Sequence, residues 1–208
     1  MQVKKRRILI VSIFVLIFAA LLGAAGTFAL FSDSVTKTNH LQAGSLKIGL
    51  YRTSLTGTQL EEDGTLGDYE NSERIDLTKT DENVFTMTNV CPLVSQTATL
   101  EVSNLGTTAF TYSVGVINVE LDTESEAKSE ALAEQIEITL TAGEETETFF
   151  LSEVPSNGKI ISLGTMLVTD APQTFSVTAT FVDDENNNAA MSGSLTFDLI
   201  VNAIQAIN

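Results

Sequence analysis

Phe175-Ser176-Val177-Thr178-Ala179-Thr180-Phe181 places an apolar side chain at every odd position and a hydroxyl at every even one. Successive side chains of a strand point to opposite faces, so this run has one dry side and one wet side. Threonine suits the wet side because its β-branch favours extended backbone. The same period of two recurs outward along the chain. Ile136, Ile138 and Leu140 alternate with Glu137 and Thr139, and Leu195, Phe197, Leu199 and Val201 form a further face. Ala98, Leu100 and Val102 form another, as do Phe110, Tyr112, Val114 and Val116; Leu46, Ile48 and Leu50 make a shorter one. Many two-faced strands without regular helical crossovers predict an all-β fold, a jelly-roll-like antiparallel β-sandwich.

Between these runs, Asn104-Leu105-Gly106 predicts a hairpin connection, and Ser156-Asn157-Gly158 and Asp183 to Asn188 predict turns. Residues 53–83 are rich in Gly, Thr, Glu and Asp and poor in large apolar side chains, which predicts a loop-rich insert. Residues 123–134 predict the one short inserted helix, with Thr123 and Glu126 as a capping box and Ala127, Ala131 and Leu132 as its apolar face. No internal repeat interrupts a single sandwich domain over residues 45–208.

The 208 residues carry 27 acidic and 11 basic side chains, a net charge of −16. Such a balance opposes phosphate backbones and excludes an ordinary nucleic-acid binder. The charge is also uneven. Lys4, Lys5, Arg6 and Arg7 precede an uncharged apolar run from Ile8 to Ala29, and no acid occurs before Asp33. A basic start, an apolar stretch and small residues at its end predict a signal peptide over residues 1–29, with Thr27 and Ala29 at −3 and −1 of a cut before Leu30. The run also reaches the length of about 20 apolar residues that crosses a bilayer, so an uncleaved membrane anchor is the alternative. Either way the cations keep the N-terminus inside and send the acidic part out. The expected location is extracellular, in a matrix or at the cell surface.

Chemistry-bearing residues are scarce. One His and one Cys cannot make a zinc site of the usual three or four N/S ligands, and Cys91 has no disulfide partner within the chain. His40 lies in a polar stretch and reads as a surface residue. Cys91 would need a base beside it to act as a nucleophile; it reads as a small residue at a strand end. Asp184, Asn186 and Asn188 have the alternate spacing of a calcium loop, but Ala189 stands where glycine is needed and Leu195 where a bidentate Glu would close the site. A polar hairpin tip is the simpler reading. The acidic runs at 61–63 and 144–147 read as solvated loops. No catalytic or cofactor motif is present, and no enzyme, metal or cofactor is expected.

Gly26-Thr27-Phe28-Ala29-Leu30-Phe31-Ser32-Asp33, followed by Leu41-Gln42-Ala43-Gly44-Ser45-Leu46, resembles the TasA/camelysin family of exported Gram-positive proteins. Val102-Ser103-Asn104-Leu105-Gly106-Thr107 and the alternating strands from Phe175 to Ala203 are similar to it as well. The resemblance implies removal of the leader by a SipW-type signal peptidase, secretion into a biofilm matrix, and a jelly-roll subunit of fibres. It also implies self or paralogous fibre subunits as partners, and membrane contact only through the leader. In such fibres the N-terminal segment of one subunit adds a strand to its neighbour. Residues 30–44 are then the candidate donor strand, starting at Leu30, with Phe31 and Val35 as its anchors; Asp33 between them breaks the alternation. An anchored surface-binding module is the second expectation. A camelysin-type metalloprotease is the third, and the ligand inventory gives it no support.

Overall fold

A computed structural model of the chain describes residues 44–85, 87, 90–185 and 187–206. The leader and nearly all of the segment 30–44 lie outside the described residues. Ten strands follow in order: β1 (Ile48–Leu60), β2 (Leu66–Asn71), β3 (Ile75–Asp76), β4 (Ser95–Asn104), β5 (Phe110–Leu121), β6 (Ile136–Ala142), β7 (Glu145–Phe150), β8 (Lys159–Met166), β9 (Gln173–Phe181) and β10 (Leu195–Gln205). One α-helix, α1 (Glu126–Ala133), sits between β5 and β6.

Every pairing is antiparallel. The large sheet runs β2-β1-β4-β9-β6-β7, with β3 also on β1, and the small sheet runs β10-β5-β8. From β4 onward the chain changes sheet at every connection except the β6–β7 hairpin. That winding makes a jelly-roll-like sandwich in which neither sheet completes its core without the other. Residues 43–208 form a compact unit of their own.

Period two decides the layers. On the large sheet Leu100, Phe175 and Arg52 share the inner face, as do Val177, Leu140 and Ala98. The small sheet contributes Phe110, Val114 and Val116, all fully buried. Each such side chain contributes about 1.5–3 kcal/mol relative to exposure. On the outer face of the large sheet the register aligns Thr56, Thr97, Thr178, Thr139 and Thr148 in one row across five strands. The Thr97 and Thr178 hydroxyls lie 2.9 Å apart, and those of Thr139 and Thr148 3.1 Å apart. The outward threonines of the sequence reading are this surface.

Five expectations need correction. Residues 53–83 are not mostly loop: residues 53–60 continue β1, and β2 and β3 follow. Their apolar alternation is weak for two reasons. A bulge at Thr53 switches the phase, so that the inward residue after Arg52 is Leu55 and not Ser54. Beyond it, the β1–β2 ribbon lies at the sheet edge and buries little on either side. Asn104-Leu105-Gly106 does not join a hairpin, because β4 and β5 belong to different sheets. Asp183 to Asn188 likewise joins β9 to β10 across the sandwich, through a 3-10 turn at Asn187–Ala190. Leu46 lies before β1 and is 42% exposed.

The fifth correction concerns the helix. The turn that leads into it is capped by Asp122, whose carboxylate accepts from Glu124 N–H at 3.1 Å and from the Ser125 hydroxyl at 3.1 Å. A 3-10 turn, Thr123–Ser125, precedes α1. An extended Asp before the first turn supplies both an acceptor and a negative charge at the positive helix end, so Thr123 is not needed as cap. The buried positions are Ser129, Leu132 and Ala133, while Ala127 is exposed. The Ser129 hydroxyl donates to Ser125 O and accepts from Ser194 N–H, both at 3.1 Å, which ties α1 to the entrance of β10. The turn at Ser156-Asn157-Gly158 forms as read, closed by Gly158 N–H to Pro155 O at 2.7 Å.

Candidate functional site

β10 is an eleven-residue strand that, among the described residues, pairs on one side only, with β5. Its other side presents a row of main-chain donors and acceptors that no strand among the described residues uses. Beside it lies a groove of about 1400 Å³. Leu132, Ile136 and Phe181 line it from the helix and large sheet, and Leu195, Phe197 and Leu199 from β10. Its lining is more apolar than polar, with Glu82, Asn83, Asn188 and Asp198 among the polar residues.

Local distortions shape this edge. In the β5–β10 register, Asn118 and Val119 together oppose the single residue Phe197, which is a bulge in β5. Within the bulge Asn118 takes a left-handed conformation (φ 51°), one that a short amide side chain tolerates. Its amide donates to the Asp198 carboxylate at 2.8 Å, which fixes the edge next to Phe197.

The third wall is the connection from β3 to β4. Val84, Phe85, Met87 and Val90 pack against the core, and the Phe85 ring lies 6.2 Å from that of Phe197. The connection is held from below by Arg52, which is 3% exposed. Nη1 of Arg52 donates to the carbonyls of Asn83 at 2.6 Å and Val84 at 3.0 Å, and Nη2 lies 3.6 Å from the Glu82 carboxylate. A buried guanidinium is costly unless its donors are used, and here one short segment supplies the acceptors.

Cys91 lies half-buried on the groove wall, and its carbonyl closes the turn into β4 by accepting from Val94 N–H at 3.1 Å. The calcium-like loop spends polar groups on itself: Asn187 donates to the Asp183 carboxylate at 2.6 Å and accepts from Asp184 N–H at 3.1 Å. Among the described residues no three His, Cys, Asp or Glu converge, and no helix is long and apolar enough to cross a membrane. Asp63 closes the β1–β2 hairpin by accepting from the Thr65 hydroxyl and N–H, and these bonds hold its carboxyl below the ordinary value of 3.8. The Asp76 carboxyl is lowered likewise, by hydrogen bonds from Lys79 and Thr78.

Ala29, Leu30, Phe31, Val35 and His40 lie outside the described residues. Sequence reading missed Arg52, Phe85 and Asp198. A signal existed for Arg52, a cation in the apolar phase of Ile48-x-Leu50-x-Arg52. For the other two none did, because only the fold brings residues 82–92 to β10. The fold and edge thus define an antiparallel β-sandwich protein with an open, groove-flanked strand. Comparison with known proteins adds no name: no family model matches the chain, and no curated protein matches it.

Proposed function

We propose that this is an exported, non-enzymatic structural subunit that polymerises in the extracellular matrix by strand addition, in the manner of TasA-like fibre proteins. The open edge of β10 beside an apolar groove carries the proposal. A strand entering there would satisfy the free main-chain groups of β10, and its alternate side chains would fill the groove. The sequence offers a donor. Leu30 to Thr36, released when the leader is cut after Ala29, is uncharged apart from Asp33 and carries Phe31 and Val35 on one face, with Asp33 between them. At about 3.3 Å per residue, seven residues span roughly 23 Å and fit within the length of β10. Until the cut, the donor is tethered to the membrane by the leader, so export and processing precede assembly.

The test is intact mass and N-terminal sequence of the protein recovered from culture medium, with negative-stain microscopy of the same sample. A start at Leu30 together with filaments supports the proposal. A start at Met1 in the cell fraction without filaments replaces it with an anchored surface module.

A further inference from the structure

We infer that residues 82–85 are a strap closing the groove in the free subunit, with Arg52 as its latch, and that a strand from a second copy enters only when the strap lifts. The inference rests on the assembly reading above. Three observations carry it. The strap occupies the groove wall through side chains: Phe85 meets Phe197, while among the described residues β10 pairs only with β5. Among the described residues, 82–85 make no main-chain hydrogen bond to main chain; the Asn83 and Val84 carbonyls go to Arg52. Segments with few backbone bonds are the first to open locally.

The latch itself is buried, specific and small. Charge-assisted bonds from one guanidinium hold two consecutive carbonyls. Its third partner, Glu82, has a side chain 57% exposed, so it can swing into solvent. Opening therefore breaks the Arg52 bonds and the apolar contacts of Val84 and Phe85, and leaves both sheets paired. A binding site available only in the open fraction has its apparent affinity reduced by that fraction. The latch thus keeps exported subunits apart until donor concentration is high.

The test uses the protein without its first 36 residues, whose two-sheet core lies within residues 44–206, and the synthetic peptide Leu30–Thr36 as probe. In a Cys91→Ser background, Phe85→Cys and Phe197→Cys are joined by dibromobimane, whose fluorescence reports closure. Peptide affinity is read by isothermal titration before and after joining. The strap predicts at least about tenfold weaker binding after joining. It also predicts that Arg52→Lys, which keeps the charge but loses the paired bonds, binds the peptide more tightly than the parent. Equal affinity in the joined and open forms overturns the strap while leaving strand addition standing. A peptide that binds neither form overturns strand addition, and the strap with it. Circular dichroism on each variant separates a lost fold from a lost site.

Discussion

Gln135 shows how one atom can cost stability. It is 5% exposed, and its side-chain oxygen is buried without a hydrogen-bond partner among the described residues, although its main-chain carbonyl accepts from Val182 N–H at 2.9 Å. An unpaired buried acceptor pays desolvation and gains nothing, so Gln135→Met should raise stability by about 1 kcal/mol. A urea midpoint lower than the parent's would contradict this. Titratable residues set the pH limits. Asp63 and Asp76 have carboxyls lowered by hydrogen bonds from Thr65 and from Lys79 and Thr78. A lowered group stabilises the fold above its unfolded value and loses that contribution as pH falls through the folded one. The melting temperature should therefore fall as pH drops below the ordinary value of 3.8. Tyr112 works at the other end. Burial raises its phenol, which donates to the Gln173 oxygen at 2.6 Å. A raised group gives its full contribution below its unfolded value and loses it as pH rises towards the folded one, so stability should decline above the ordinary value of 10.0. A melting temperature flat from pH 9 to 11 would contradict the Tyr112 assignment.

Elements differ in how far their own residues specify them. β4, β5, β6 and β9 bury one face each, and their alternation was legible in Ala98-x-Leu100-x-Val102 and in Phe175 to Phe181. The second half of β1 was not, because a bulge at Thr53 and a wet, edge-lying ribbon remove the alternation that reading depends on. Turn chemistry was legible at Ser156-Asn157-Gly158, which needs only local geometry. It misled at Asn104-Leu105-Gly106, because a turn signal does not say which sheet the next strand joins. The site lay further out of reach, since its walls come from residues 82–92, β9 and β10, and their meeting is a property of the fold. The helix makes a testable case at this scale. Asp122→Ala removes the carboxylate that caps the turn leading into α1, and should cost about 1 kcal/mol. Asp122→Asn should recover most of it, because the amide oxygen still accepts. Equal losses for the two variants would mean that the cap acts through its charge.

At the scale of the molecule, charge governs association. After the four cations of the leader are set aside, seven basic and 27 acidic side chains remain, a net of −20. Copies repel over a screening length of about 10 Å at 0.1 M salt and about 3 Å at 1 M. Assembly should therefore be promoted by salt, by divalent cations and by mild acid above the range where the fold weakens. Light scattering that rises equally fast in dilute neutral buffer and in 1 M salt would contradict a repulsion-limited subunit. Deleting Leu30 to Thr36 should leave a folded monomer that does not elongate, and filaments formed by the truncated protein would place the donor elsewhere.

The central claim is that the N-terminal segment of one copy lies along β10 of another, and intermolecular cross-linking tests it most directly. In a Cys91→Ser background starting at Leu30, one copy carries Phe31→Cys and the other Phe197→Cys. The two are mixed under assembly conditions, oxidised, and resolved by mass. The account predicts a disulfide dimer that joins residue 31 to residue 197, forms only in the mixture, and is suppressed by excess Leu30–Thr36 peptide. Filaments that assemble without that cross-link would place the donor, or the acceptor, elsewhere.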